Sequence, residues 1–168
     1  MIFTIRNMNE DDYESVKSIY LEGIATKKAT FQTEVPDYET WSNGHLKKCR
    51  FVATDEEGQV LGFVALSPTS SRYVYRGVNE ISIYISQRAK GQHIGTALMN
   101  KVIEESEELG IWTLQSGIFE INEESIALHK KCGFRIVGTR ENIAQDADGI
   151  WRNTVIMERR SKSVGIAE

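Results

Sequence analysis

The segment that most constrains this chain is Glu80–Leu98, which has the pattern of a β-strand followed by a basic loop and a helix. Isoleucine stands at every second position of residues 81–85, which is the period of a strand. Gly91 and Gly95 allow the loop backbone to turn tightly and to approach a ligand closely. The amides and the positive dipole end of the following helix favour an anion. The segment therefore predicts a site for a phosphate-bearing cofactor.

The glycine spacing narrows the choice of cofactor. Gly91 and Gly95 fit neither G-x-G-x-x-G nor G-x-x-x-x-G-K-[ST], because no third glycine and no Lys-Ser or Lys-Thr pair follows. The stretch K-G-Q-H-I-G-T-A-L instead resembles the [RQ]-x-x-G-x-[GA] loop of the GCN5-related N-acetyltransferases, with His93 at the first motif glycine. That resemblance implies that main-chain amides hold the pyrophosphate of acetyl-coenzyme A. It implies contacts from the strand, the loop and the first helical turn, namely Ile83, Tyr84, Ile85, Lys90, Gly91, Gln92, His93, Ile94, Gly95 and Thr96.

A second motif begins at Asn122. The residues from Asn122 to Phe134 are similar to the N-x-x-[AS]-x-x-x-[YH]-x-K-x-G-F helix of the same family. The resemblance implies that Asn122 caps this helix and presents its amide to the pantetheine or the substrate, and that Ser125 and Lys131 also contact the cofactor. His129 stands where many relatives carry a tyrosine thought to protonate the leaving thiolate. The alternative is an ordinary helix between an N-cap and a C-cap glycine.

Length and charge exclude several classes of protein. With 168 residues we expect one domain over residues 1–160 and a C-terminal tail over 161–168. A formal net charge of −4 argues against a nucleic-acid binder, and no apolar run approaches the ~18 residues of a membrane span. The N-terminus lacks the pattern of a signal peptide. Cys49 and Cys132 have no metal-binding spacing and are interpreted as reduced packing residues of a cytoplasmic protein.

The coarse pattern gives eleven elements in the order βααβββαβαββ. We expect strands and helices over Ile2–Arg6, Asn9–Ala25, Asp37–Lys48, Phe51–Thr54, Val60–Leu66, Glu80–Ile85, Gly95–Gly110, Trp112–Ile118, Asn122–Gly133, Phe134–Arg140 and Ile150–Arg159. This order matches the acetyltransferase fold of the family throughout. The resemblance therefore implies an α/β fold with a mixed, mostly antiparallel central sheet flanked by helices.

Within that family the chain resembles the phosphinothricin and methionine sulfoximine acetyltransferase branch. The resemblance is carried by A-T-F-x-T-E at 29–34, Trp41, Arg72 with Tyr75, E-x-S-I-Y-I at 80–85, L-H at 128–129 and G-x-W at 149–151. Members of this branch acetylate the α-amino group of small amino acids or their analogues. The resemblance implies such an acceptor, acetyl-coenzyme A as co-substrate and a homodimer. The net charge and the apolar pattern predict neither a nucleic acid nor a membrane as partner.

Acetyl transfer to an amine needs a neutral nucleophile and a proton for the leaving thiolate. An α-amino group titrates near ~8, so a modest base is enough. Glu80 is the candidate base, acting directly or through water, and the alternative is a structural carboxylate. His129 is the candidate acid, and the alternative is a buried, hydrogen-bonded histidine. His93 and His45 are interpreted as a loop contact and a solvated helix face, and no histidine spacing predicts a metal.

The acceptor site is predicted from residues close to the Glu80 strand. An arginine suits a carboxylate or phosphinate through bidentate hydrogen bonds, and tyrosines would form an apolar wall. The predicted substrate-binding residues are Phe31, Arg72, Tyr73, Tyr75, Glu80 and Tyr84. The alternative for Arg72 is a surface arginine with packed aromatics.

Other functions remain open: acetylation of a protein N-terminus or a polyamine, and a non-catalytic sensor of acetyl-coenzyme A.

Overall fold

A computed structural model describes residues 1–167 as one seven-stranded sheet with helices on both faces. The strand order is β1-β2-β3-β4-β5-β7-β6, and all neighbouring strands are antiparallel except β4 and β5. The strands are β1 (Thr4–Asn7), β2 (Phe51–Thr54), β3 (Val60–Pro68), β4 (Val78–Ile85), β5 (Thr113–Phe119), β6 (Arg135–Gln145) and β7 (Trp151–Arg160). The α-helices are α1 (Tyr13–Thr26), α2 (Tyr38–Asn43), α3 (Ile94–Glu108) and α4 (Glu123–Lys131).

Two apolar cores lie on opposite faces of the sheet. Tyr13, Val16 and Ile19 recur at helical spacing on α1 and are buried against β3 together with Trp41 of α2. On the other face α3 contributes to the larger core, and its fully buried apolar side chains there are Ile94, Leu98, Met99 and Val102. Burial of each such side chain stabilises the fold by about 1.5–3 kcal/mol. The sheet is therefore held rigidly from β1 to β4, where the candidate site begins.

The parallel pair β4–β5 separates after three residues. Val78, Asn79 and Glu80 lie opposite Thr113, Leu114 and Gln115, and no further pairs form between these strands. Meanwhile β4 stays paired with β3 as far as Ile85, and β5 stays paired with β7 as far as Phe119. Because each strand follows its outer neighbour, a V-shaped gap opens inside the sheet beyond Glu80.

The predicted element order and fold class are confirmed. The ends of α2 and β6 each lie five residues from the predicted position, and several other boundaries differ by fewer residues. Asp37 caps α2 as expected, accepting a hydrogen bond of 2.8 Å from the Thr40 amide, yet α2 ends at Asn43 rather than near Lys48. The buried Arg50 guanidinium donates hydrogen bonds to the carbonyl oxygens of Ser42, His45 and Leu46. The segment after α2 therefore turns around Arg50 instead of continuing as a helix. β6 runs on to Gln145 instead of ending at Arg140, because it pairs with β7 again from Ala144 after an irregularity in the register.

His45 does not lie on a solvated helix face, so that interpretation was wrong as well. It follows α2 and stacks on the Trp41 ring with ring centroids 4.3 Å apart. Its Nδ1 lies 2.6 Å from the Trp41 carbonyl oxygen. Burial lowers its pKa. The residue is part of the packing around α2.

The C-terminal segment is attached to the domain. The Arg160 guanidinium donates hydrogen bonds to the carbonyl oxygens of Ser161, Val164 and Gly165, and the Ser161 amide donates to the Trp112 carbonyl oxygen over 2.8 Å. Cys49 is buried and Cys132 half-buried, and both are free thiols. Within residues 1–167 no helix has the length and apolarity to cross a membrane, and no cluster of three metal-ligating side chains forms.

Candidate active site

Two adjoining cavities occupy the gap between β4 and β5. The first, here called the loop cavity, measures about 700 Å³ and lies between residues 87–95 and the start of α4. The second, here called the strand cavity, measures about 350 Å³ and lies between the diverging strands. Five residues line both: Ala29, Ile83, Tyr84, Asn122 and Ser125. Ligands bound in the two cavities would therefore lie next to each other, both in contact with these five residues.

The loop cavity has the features of an anion site. Gly91 has φ +75°, and His93 adopts the left-handed conformation with φ 63° immediately before α3. The first amides of α3 have no partner within the helix, and its dipole end is positive. Lys90 stands at the same cavity, with its Nζ 3.3 Å from a Glu124 carboxylate oxygen. These groups fit the diphosphate of a coenzyme.

Gly95 permits a close approach of two helices. A Cβ atom built at this position would lie 3.1 Å from Cδ2 of Leu128 on α4 and 3.8 Å from Cγ1 of Ile85. Its missing side chain thus faces α4, so the glycine brings the first turn of α3 next to α4. The two helix starts that border the loop cavity are held in place by this contact.

We expect Gly95→Val to weaken acetyl-coenzyme A binding by about tenfold or more, because branched carbons would push α3 away from Leu128 and distort the loop. Isothermal titration calorimetry of the folded variant measures the effect. Gly138→Val on β6 is the matched control, since a Cβ there meets no atom within 4 Å. Equal affinities for the Gly95 variant and the parent would contradict this assignment of the loop.

β4 turns unpaired peptide groups toward the gap. The Ser86 amide donates to the Leu61 carbonyl oxygen over 2.8 Å, so the even-numbered amides of this strand face β3. Peptide groups alternate in direction along a strand, and those of Ile83 and Ile85 consequently face the gap that β5 has left. An extended chain such as pantetheine can pair with them as an added strand.

Glu80 lies at the closed end of the gap, where β4 and β5 separate. It lines the strand cavity, and no residue within 1–167 forms a hydrogen bond or ion pair with its carboxylate. Partial burial raises its pKa, while the positive charge of Arg140 acts in the opposite direction. A carboxylate with a raised pKa is a better proton acceptor near neutral pH.

His129 of α4 also lines the strand cavity and is almost fully buried, with 1% of its surface exposed. Its Nδ1 donates to the Ser125 carbonyl oxygen over 2.7 Å, which leaves the lone pair on Nε2. Nε2 has no hydrogen-bond partner in the described structure, and burial lowers the pKa of the ring. The lowered pKa favours the neutral imidazole near pH 7, in which Nε2 can accept a proton.

A loop that follows α1 covers the junction of the cavities. Asn122 caps α4 as predicted, accepting a hydrogen bond of 3.2 Å from the Ser125 amide. Its side-chain amide group donates to the Lys28 carbonyl oxygen over 3.2 Å, so Asn122 also anchors this loop. Further along the loop, the Phe31 ring packs on Phe119 of β5 with centroids 4.3 Å apart.

The structure brings together most, but not all, of the predicted site residues. Arg72, Tyr73 and Tyr75 lie exposed on a short 3-10 turn before β4 and line neither cavity, with the Arg72 guanidinium 5.4 Å from the centre of the Tyr75 ring. Thr96 and Lys131 also lie outside both linings. The roles expected for these five residues stay predictions.

Sequence reasoning missed several residues that line the strand cavity. They come from β5 and β7 and are Ser116, Gly117, Ile118, Phe119 and Thr154. The alternating pattern of residues 112–118 predicted the strand, but no local sequence signal indicates which residues of β5 face the gap.

Comparisons with known proteins agree with this geometry. The model of the Acetyltransferase (GNAT) family matches residues 5–134. The chain is 32% identical to YwnH of Bacillus subtilis over 146 residues, covering 84% of this chain and 90% of that protein. It is 29% identical to the phosphinothricin N-acetyltransferase of Alcaligenes faecalis, covering 93% and 81% of the two chains.

Two further relatives concern the acceptor and the cofactor. An L-methionine sulfoximine/L-methionine sulfone acetyltransferase of Pseudomonas paraeruginosa is 24% identical and covers 94% of each chain. The crystal structure of a phosphinothricin acetyltransferase from Sinorhizobium meliloti in complex with AcCoA is 28% identical, with a TM-score of 0.90 over 100% of this chain and 93% of that chain. The chain belongs to the GNAT family and is an acetyltransferase that uses acetyl-coenzyme A as co-substrate.

Proposed function

We propose that this enzyme transfers acetyl from acetyl-coenzyme A to the α-amino group of a small amino acid or analogue of the phosphinothricin, methionine sulfoximine or methionine sulfone type. The observation that carries the proposal is the strand cavity, which adjoins the loop cavity and is lined by both Glu80 and His129. Within residues 1–167 neither the Glu80 carboxylate nor Nε2 of His129 has a hydrogen-bond partner, which supports a role of both in proton transfer. About 350 Å³ suits a single amino acid. The branch of relatives acts on acceptors of this size.

Glu80 and His129 each carry out a different proton transfer in the reaction. An α-ammonium group must lose one proton before it can attack the thioester carbonyl, and Glu80 takes this proton and passes it to solvent. After attack the nitrogen still carries a surplus proton, which Nε2 of neutral His129 accepts and then donates to the departing sulfur. His129 thus acts as the acid expected from the sequence only after it has received a proton. One proton is released per turnover, which balances the reaction.

The main chain supplies the remaining catalytic element. The peptide groups of Ile83 and Ile85 face the gap, so one of their N–H groups polarises the thioester carbonyl as charge develops on its oxygen. Such a donor is already fixed by the β3–β4 pairing and needs no reorganisation during the reaction.

A free-thiol release assay tests the proposal. Acetyl-coenzyme A is offered with phosphinothricin, methionine sulfoximine, methionine sulfone, the common amino acids, polyamines and short peptides. We expect thiol release with the amino-acid analogues and none with polyamines. Release with peptides or polyamines alone would transfer the function to those acceptors, and tight coenzyme binding without release for any acceptor would indicate a sensor.

The homodimer remains part of the proposal. Its support is a set of exposed large apolar side chains on β6, β7 and their connecting turn, namely Ile136, Val137, Ile143, Ile150 and Trp151. Exposed apolar side chains concentrated in one hairpin support a contact surface for another protein. Light scattering on the purified protein measures the oligomeric state, and Trp151→Arg should favour the monomer if this surface forms the contact. A cytoplasmic location also stays a prediction.

A further inference from the structure

The strand cavity lacks a cation of its own. Within the described part of the chain, its lining contains two titratable groups suited to proton transfer but no lysine and no arginine. An amino-acid acceptor carries a carboxylate one carbon away from its amine. Neutral donors line the cavity, among them the hydroxyl groups of Tyr20, Thr30 and Ser82. A guanidinium at the border of the cavity would bind the carboxylate more strongly than these groups, because hydrogen bonds between two charged partners are stronger than neutral ones.

The sheet register places one arginine at this border. Arg140 of β6 lies directly opposite Thr154 of β7, and Thr154 lies opposite Phe119 of β5. Paired residues share a face of the sheet, and so do residues four apart on one strand. Glu80 is paired with Gln115 of β5, and Gln115 lies four residues before Phe119 on the same strand. Glu80 therefore lies on the same face of the sheet as Phe119, and Arg140 lies on this face as well. Thr154, next to Arg140, lines the cavity.

Arg140 also differs from the other arginines of this hairpin by having no partner. The Arg135 guanidinium lies 2.7 Å from a Glu158 carboxylate oxygen, and that of Arg152 lies 2.9 Å from Asp146. Arg159 and Arg160 are bound by Glu107 and by main-chain carbonyl oxygens. No acceptor within residues 1–167 binds the Arg140 side chain. Its charge is nevertheless close enough to lower the pKa of Glu80 against the effect of burial.

We propose that Arg140 binds the carboxylate of the amino-acid acceptor and thereby orients the acceptor's amine between Glu80 and His129. This assignment rests on the proposed function and makes β6 the source of acceptor specificity. Arg72, which the sequence favoured for this role, stacks on Tyr75 outside both cavities and is the competing candidate.

Steady-state kinetics with an amino-acid acceptor and its carboxamide test the assignment. We expect Arg140→Gln to raise the KM for the acid about tenfold or more while leaving the KM for the carboxamide and for acetyl-coenzyme A unchanged. Arg140→Lys should recover part of the loss, because an ammonium lacks the planar fork. The acid limb of the pH profile should also move upward in Arg140→Gln, since the charge that lowers the pKa of Glu80 is gone.

Arg135→Gln is the matched control, because this residue shares the strand but is occupied by Glu158. Its kinetic constants should stay within twofold of the parent. Equal discrimination between acid and carboxamide in the parent and in Arg140→Gln would overturn the assignment, and loss of discrimination in Arg72→Ala instead would place the carboxylate there. If the parent enzyme acetylates no amino acid at all, the proposed function itself fails, which is a separate result.

Discussion

Replacing Glu80 by glutamine should lower kcat/KM by ~10²-fold or more, because the amide keeps the size of the side chain but cannot accept the proton of the acceptor amine. Burial raises the pKa of Glu80, so in the parent the rate falls as pH decreases through a value above that of an ordinary glutamate. In Glu80→Gln this decrease of the rate at low pH should be absent. The deficit should shrink as pH rises toward the pKa of the free amine, near ~8, since hydroxide and solvent then deliver the neutral nucleophile.

Glu158→Gln is the control for this variant. Glu158 lies in the same row of the sheet as Glu80, since both flank Gln115, but its carboxylate is bound to Arg135. We expect a near-parental pH profile for this control. A Glu80→Gln enzyme with the parental rate from low to high pH would show that Glu80 is a structural carboxylate.

Replacing His129 by phenylalanine should lower kcat by ~10²-fold, and raising the pH should not restore it. In this variant the surplus proton on the nitrogen has no acceptor and the departing thiolate has no donor, and alkali can replace only the first of these two roles. Since Nε2 has no partner within residues 1–167, its loss breaks no hydrogen bond there, although the bond from Nδ1 to the Ser125 carbonyl oxygen is lost. Acetyl-coenzyme A affinity and the thermal midpoint separate a chemical effect from a packing effect.

His45→Gln is the corresponding control, because His45 is half-buried on Trp41 and lines neither cavity. Its kcat should equal that of the parent. If kcat of a folded His129→Phe enzyme stays within twofold of the parent, His129 does not transfer the proton from the nitrogen to the sulfur.

Local patterns were sufficient for the elements that carry the cofactor. The alternating isoleucines of residues 81–85, the glycine loop and the capping Asn122 each act over a few residues, and the structure places β4, α3 and α4 as their patterns predicted. The end of α2 at Asn43 was not predicted, although Gly44 follows it directly as the C-cap. The segment after α2 is held by the Arg50 guanidinium, which donates hydrogen bonds to the carbonyl oxygens of Ser42 and His45, and no local pattern encodes this contact.

The acceptor site was less accessible to sequence reasoning because it depends on pairing between distant strands. Arg72 is close to Glu80 in sequence, whereas Arg140 is 60 residues away and reaches the same face only through the register of β5, β7 and β6. Phe119 and Thr154 line the cavity for the same reason. The direction of each of these side chains follows from a ladder of hydrogen bonds that no short motif encodes.

The unpaired edge of β4 inside the gap also bears on self-association. An exposed strand edge normally recruits strands of other molecules and promotes aggregation. This edge is recessed between β5 and the start of α4, and a polypeptide strand would have to insert side chains on both of its faces to reach it. A narrow ligand such as the pantetheine arm carries no side chains and can enter the gap without this steric hindrance. The fold can therefore keep an open edge that is selective for narrow ligands and closed to neighbouring proteins.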